Sequence, residues 1–244
     1  MRGLTEAVKH LLIINILFFV ATQLYGDQMY AWFSLWYPEN PNFEWWQIFT
    51  HMFMHGNFMH ILFNMYALYA FGTPLERMWG RNKFLFFYFS AGLGAALLHT
   101  GVNYYLFNDG LQALLDSGIG KTELMQIITD GKYSPSWETV IGPDKVDSFL
   151  SAFSTPAVGA SGAIYGILVA FAFTFSEAEL MLIFLPIPIK AKYFVPLLIL
   201  GDLFFGFTGT ATGIAHFAHI GGALFGFLMM WYWKKNQFNN NRWN

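Results

Sequence analysis

An all-α membrane bundle of six transmembrane helices is the fold this sequence predicts, and two observations carry it. The first is composition: the 244 residues are 55% hydrophobic, 20% aromatic and only 11% charged, with a mean hydropathy of +0.40, which is too little charge to cover a soluble surface. The second is segment length. Apolar stretches near the roughly 20 residues that cross a hydrocarbon core fall at 9–25, 52–73, 83–106, 157–176, 191–208 and 214–233. A net charge of −2 and the lack of any basic run interleaved with aromatics exclude nucleic acid as a partner. The chain has no cysteine, which removes disulfides, thiolate metal sites and cysteine nucleophiles.

The first apolar run follows Met1 and Arg2 and has the look of a signal peptide, but no small-residue cleavage site ends it. It is expected to stay as a span, with the mature chain starting near Met1. Orientation comes from the basic residues. Arg2, Lys9, Arg77, Arg81, Lys83, Lys190, Lys192, Lys234, Lys235 and Arg242, ten of the thirteen, share one side, whereas the first opposite loop holds Asp27, Glu39 and Glu44 without a Lys or Arg. Both termini are therefore expected in the cytoplasm of a multi-pass protein, placed here in a bacterial inner membrane. The whole of 1–244 reads as one membrane domain, with a sizeable extramembrane insertion at about 107–156. In it, Asn108 or Asp109 before Leu111, Leu114 and Leu115 reads as the cap of a short amphipathic helix, and Thr122 before Leu124, Ile127 and Ile128 as that of a second. The insertion is either a lid or an interfacial decoration, or else a substrate-contacting element. The polar tail Asn239–Asn241 reads as disordered.

Three polar positions share one depth. Ser161 stands 16 residues from Glu177, His60 stands 16 from Glu76 and His219 stands 15 from Lys234, so each lies about 22 to 24 Å above the cytoplasmic boundary at 1.5 Å per residue. Polar groups there are costly and call for a function. Ser161, within Gly159-Ala160-Ser161-Gly162, sits at the start of its helix, where unpartnered N–H groups and the positive dipole end favour a developing oxyanion. His60 and Asn64, four apart, share a helix face and can donate to one oxygen. His219 remains as general base for the Ser161 proton. Tyr165, one turn below Ser161, can stack on His219 and orient it. No carboxylate is placed at that depth, so the pair reads as a dyad held by packing. Gly162 and Gly166, with Gly222 and Gly226, line the faces that must approach for Ser161 and His219 to bond.

The stretches His55-Gly56-Asn57-Phe58-Met59-His60-Ile61-Leu62-Phe63-Asn64, Gly159 to Gly166 and Ala215 to Gly226 resemble, in order, the signature segments of the rhomboid family of intramembrane serine proteases. The resemblance covers nearly the whole chain outside 107–156. It implies a six-helix bundle that cleaves membrane-anchored proteins near the outer edge of the bilayer, with Ser161 as nucleophile, His219 as base, and His60, Asn64 and the Ser161 backbone N–H as the oxyanion hole. One position departs: Trp45-Trp46-Gln47 resembles the family's Trp-Arg segment with Gln47 in place of the arginine, which bears on how the first outer loop is anchored.

Two rival readings use the same residues. A catalytically inactive relative would bind membrane clients, although Ser161, His219, His60 and Asn64 are all retained. A metal or haem transporter would use His51, His55, His60, His216 and His219 as ligands, yet no Asp, Glu or Cys is placed at their depth and the glycine-framed serine would go unexplained. No metal or cofactor is expected; the partners are transmembrane protein substrates and the lipid bilayer. His216 reads as a hydrogen-bonding neighbour of His219, and His99 as a satisfied core or interfacial histidine. Asp202, ten residues from Lys192 and so about 15 Å deep, has no partner identifiable in the sequence and reads either as functional or as a protonated structural group.

Overall fold

The structure, a computed structural model, describes residues 3–182, 185–208 and 215–236. Met1, Arg2, Arg242 and the tail Asn239–Asn241 lie outside the described residues. Helix α1 (Glu6–Tyr25) is followed by the short α2 (Asp27–Phe33) and a connection containing α3 (Gln47–Thr50). Helix α4 (Phe58–Ala67) passes through a π-helical turn at Leu68–Gly72 into α5 (Thr73–Trp79). A 36-residue α6 (Arg81–Asp116) leads to α7 (Lys121–Thr129), α8 (Ser136–Ile141) and α9 (Pro143–Ser154). The chain returns as α10 (Ser161–Thr174), the strands β1 (Glu179–Leu182) and β2 (Leu185–Lys190), then α11 (Ala191–Thr208) and α12 (His216–Asn236). By length and composition, α1, α6 and α11 are long and apolar enough to cross a membrane.

The expected segments at 9–25 and 191–208 coincide closely with α1 and α11. Elsewhere local chemistry moves the boundaries. Residues 52–57 stay outside the helix because Asn57 caps α4, its side chain accepting the His60 N–H at 2.9 Å. Residues 157–160 are held out of α10 by pairing with an earlier segment, described below. The proposed helix start at Asn108 or Asp109 is corrected: α6 runs unbroken to Asp116, and Asn108 donates back to the Tyr104 carbonyl within the helix. The second expected helix is α7, but its cap is corrected: the helix begins at Lys121 after Gly120, so Thr122 lies inside its first turn. Neither α8 and α9 nor the antiparallel β1–β2 hairpin was anticipated.

Packing explains why α10 lacks an amphipathic period. Its residues Gly162–Ile164 and Gly166–Phe171 are buried on every side, as expected of a helix enclosed by others, here chiefly α6 and α12. A second apolar cluster, built on Phe107, Leu114, Leu124, Trp137 and Phe149, lies in the insertion and joins the end of α6 to α7, α8 and α9. At the other end of the bundle Glu76 accepts the backbone N–H groups of Ala7 and Val8 at 2.8 and 2.9 Å, partnering donors that the first turn of α1 leaves open. Near the hairpin, Glu177 pairs with Lys190 and Lys192, whose ammonium groups hold its carboxyl down to about 2.

The connection between α2 and α4 is fastened to the approach to α10. Leu35 and Ala157 exchange N–H···O bonds of 2.9 Å in both directions, Asn40 donates to the Phe153 carbonyl at 2.9 Å, and Gly159 N–H reaches the His51 carbonyl at 2.9 Å. Gln47 is fully buried in this connection. Its amide nitrogen donates to the carbonyls of Asn42 at 2.7 Å and Ala31 at 3.0 Å, and its oxygen accepts from the Trp36 N–H at 3.4 Å. A neutral amide thus ties the loop to itself. Gln47→Leu removes these bonds and leaves the Asn42 and Ala31 carbonyls and the Trp36 N–H without this partner, at about 0.5 to 1.5 kcal/mol for each bond lost. The variant is expected to show a lower thermal midpoint and faster hydrogen exchange across 31–42; unchanged exchange there would show that the amide does not hold the loop.

Candidate active site

Ser161 is the first residue of α10, so its N–H and those of Gly162 and Ala163 precede the first intrahelical bond, made by Ile164 N–H to the Ala160 carbonyl at 3.0 Å. His219 enters from the first turn of α12, and its Nε2 lies 2.8 Å from Ser161 Oγ. Beneath it the Tyr165 ring is stacked on the imidazole with centroids 4.2 Å apart and planes 12° from parallel. The serine, the histidine and the aromatic platform therefore meet as their depth and spacing imply.

That meeting requires backbone contact. A Cβ added at Gly222 would stand 1.8 Å from the Gly162 carbonyl oxygen, and one at Gly226 would stand 2.6 Å from Gly166 Cα. On the other side of α10, a Cβ at Gly162 or Gly166 would meet the methyl of Ala95 or Ala91 at 2.4 Å. Close approach through small residues is how helices associate where lipid supplies no hydrophobic contrast.

His60 and Asn64 project from α4. The Gly56 N–H approaches His60 Nδ1 at 3.4 Å, so that nitrogen is the acceptor and the ring proton belongs on Nε2. Gly159 has φ +125°, and the place where its Cβ would be is 2.8 Å from His60 Nε2 and 3.5 Å from Ser161 Oγ. Glycine is needed here twice over: for the backbone conformation and for the gap that lets His60 face the serine. Asn64 is buried and gives one amide hydrogen to the His60 carbonyl at 2.8 Å; its second hydrogen remains for another acceptor. Beside Ser161 a cavity is lined by His51, His99, Ala157, Gly92, Ala95 and Ala218.

The expectation that no carboxylate reaches the base is corrected. Asp202 Oδ1 lies 3.1 Å from His219 Nδ1 and 2.6 Å from His216 Nδ1; the acid and His216 are buried and His219 is partly buried. Counting residues along α11 misplaced it because such a count carries no information on tilt or on which helices touch. The nearest available signal was the coincidence of one deep acid with two histidines a turn apart. His216 is, as expected, a hydrogen-bonding residue, although its partner is Asp202. The remaining histidines are engaged separately: His51 Nδ1 with the Gln47 carbonyl at 2.8 Å, His55 Nδ1 with that of Phe53 at 3.3 Å, and His99 Nε2 with the Asn103 amide at 3.2 Å. Among the described residues no set of three or more His, Asp or Glu side chains is arranged to hold a metal ion.

The Rhomboid domain family matches residues 42–115 and 122–236. The chain belongs to the rhomboid family. It is 30% identical over 188 residues to "Rhomboid protease AarA" of Providencia stuartii, covering 76% of this chain and 55% of that protein. Shorter likenesses link it to "Rhomboid protease GluP" of Bacillus subtilis (39% over 54 residues; 22% of this chain and 11% of that protein) and to "Putative rhomboid protease YdcA" of the same organism (40% over 52 residues; 21% and 26%). The chain thus spans about half of the first relative and smaller parts of the other two. As a rhomboid it is a membrane-embedded protein, mostly helical, in keeping with its apolar helices.

The glycine contacts generate a test that needs no substrate. Gly222→Ala must push α12 away from α10, at a cost of about 1 to 3 kcal/mol for an overpacked site. Gly101 in α6 has nothing within 4 Å of its added Cβ, so Gly101→Ala is expected to be neutral or stabilising by up to about 1 kcal/mol. Thermal unfolding in detergent should separate the two variants; equal midpoints would show that the helices tolerate separation.

Proposed function

We propose that this rhomboid is an intramembrane serine endopeptidase that cleaves transmembrane proteins near the outer bilayer face. In this reading the α1, α4–α5, α6, α10, α11 and α12 rods are six spans with both termini in the cytoplasm, in a bacterial inner membrane, and Ser161 opens toward the outside. The single observation that carries it is the 2.8 Å contact of His219 Nε2 with Ser161 Oγ at a helix N-terminus. The names of the matched relatives point the same way.

The chemistry follows from the contacts. His219 Nε2 takes the Ser161 hydroxyl proton as Oγ bonds to the scissile carbonyl carbon, whose π electrons move to its oxygen. That oxyanion is met by the Ser161 N–H, His60 Nε2–H and the second Asn64 amide hydrogen. Collapse expels the amine, which takes the proton back from His219 and leaves an ester on Ser161. Water from the outside then repeats the sequence and frees the acid product. Since unwound backbone is tolerated at membrane depth only where protein or water satisfies it, the substrate helix must open locally above the site.

The test is cleavage of a matched pair of reporters. One carries Gly and Pro just inside the cut and the other a run of Leu, which differ in helix propensity by about 1 to 3 kcal/mol per residue. Faster cleavage of the weakened helix, at a small residue in its outermost turns, is expected, together with loss of all cleavage in folded Ser161→Ala and His219→Ala, the double variant being no worse. Equal rates, a cut on the cytoplasmic side or substantial activity in either folded variant would overturn the reading.

The donors predict a separate pattern. Removing one oxyanion donor costs about 10²- to 10³-fold in turnover, so Asn64→Ala and His60→Ala should lower kcat while KM changes little. Steady-state kinetics on the weakened reporter would show this; an effect confined to KM would make these residues substrate contacts instead.

A further inference from the structure

Asp202 has no part in a serine–histidine pair, yet it is the acid that touches the base. Its side chain is 7% exposed, and one oxygen, Oδ1, faces two imidazole nitrogens, His216 Nδ1 at 2.6 Å and His219 Nδ1 at 3.1 Å. The Tyr165 hydroxyl is close enough to interact with the same carboxylate, and the Phe205 ring packs nearly parallel to His216 at 5.8 Å. An ionised carboxylate only accepts, so both Nδ1 atoms must carry the hydrogen. His219 is then fixed with Nδ1 as donor and Nε2 as a bare lone pair 2.8 Å from Ser161 Oγ. The opposite tautomer would place N–H on the serine and remove the base.

Resting on the reading of Ser161 and His219 as nucleophile and base, we propose that Asp202 is the positioning residue of this site and that His216 holds its carboxylate in place. Hydrolysis then runs through a chain from Asp202 through His219 to Ser161, drawn from α11, α12 and α10. When Nε2 takes the serine proton, the ring becomes an imidazolium whose Nδ1–H stays bonded to Asp202; the proton on Nδ1 does not transfer. His216 is the second donor that a buried carboxylate requires, and by occupying Oδ1 it keeps the acid from turning away from His219. Tyr165 acts from both directions, its ring on the imidazole and its hydroxyl toward the acid.

The experiment compares Asp202→Asn with the unmodified chain and with Ser161→Ala on the helix-weakened reporter, with thermal midpoints recorded. Asparagine keeps shape and volume but can present an amide N–H to Nδ1 and hold the wrong tautomer. In a soluble triad that same change costs about 10⁴-fold. Here, with Tyr165 still stacked, kcat is expected to fall about 10²- to 10⁴-fold while KM and the thermal midpoint stay near those of the unmodified chain. A kcat within about threefold of the unmodified chain, or a change in KM alone, overturns the role of Asp202. If Ser161→Ala is dead while Asp202→Asn turns over normally, only this proposal fails; if Ser161→Ala also cleaves, the protease reading fails with it. The ¹⁵N spectrum of histidine-labelled, unmodified protein decides the case where Asp202→Asn folds poorly or loses kcat and stability together. His219, assigned by the loss of its signals in His219→Gln, should show its proton on Nδ1. A proton on Nε2 with Nδ1 bare would mean that Asp202 is a protonated structural acid, and would overturn the proposal.

Discussion

Everything at this site depends on two helix backbones touching. Gly222 presses on the Gly162 carbonyl and Gly226 on Gly166, so α10 and α12 run closer than any pair bearing side chains could. Ser161 stands immediately before the first of these contacts in α10, and His219 stands one turn before the partner glycine in α12. A short serine side chain and an imidazole can therefore bond directly. The third wall of the contact is α6, whose Ala91 and Ala95 methyls fill the space beside Gly166 and Gly162. Association by fit alone suits a setting where lipid tails are as apolar as the helices, and it holds the Ser161–His219 hydrogen bond between closely packed backbones.

A second set of contacts fixes what surrounds that pair. The pairing of Leu35 with Ala157, the Asn40 bond to Phe153 and the Gly159 bond to His51 join the connection after α2 to the segment that delivers Ser161. The positive φ of Gly159 turns the chain there and opens the gap that faces His60. Gln47 then fastens the connection internally through its buried amide, so the anchoring that the family resemblance assigns to an arginine is supplied without a charge. Placing a neutral amide among carbonyls avoids the desolvation that a buried guanidinium would incur.

Much of this was legible in the sequence because depth along a helix is arithmetic. Ser161, His60 and His219 stand at matching distances from Glu177, Glu76 and Lys234, and the glycines stand in phase with the first and last of them. The i, i+4 relation placed Tyr165 against His219, where it is stacked. Contacts that depend on tilt or on helices distant in the chain were not legible. Asp202 was counted to a lower level than His219, yet α11 leans against α12 and brings them together. The insertion misled for a different reason: Asn108 looks like a cap but sits inside a helix, bonding back to Tyr104, and a single strong local signal gave way to the continuous apolar face that α6 presents through Phe107, Leu111 and Leu114. Glu76, used only as a boundary marker, proved to partner the first turn of α1.

The acid beside His219 changes what the histidine must be. A serine–histidine pair held only by stacking leaves the imidazole free to choose its tautomer, because an aromatic face constrains the ring plane and not the position of its proton. A carboxylate oxygen at Nδ1 removes that choice, since it accepts and does not donate. The cost is a charge at a depth where charges are rare. It is met locally by the donors on His216 and His219 and by the nearby Tyr165 hydroxyl. The same donors that make the acid tolerable also aim it, so the stability of the buried carboxylate and the orientation of His219 are one requirement. His216, one turn from His219 and facing the same oxygen, is the residue in which the two become inseparable: without it the carboxylate would lose a donor and His219 would lose its fixed neighbour.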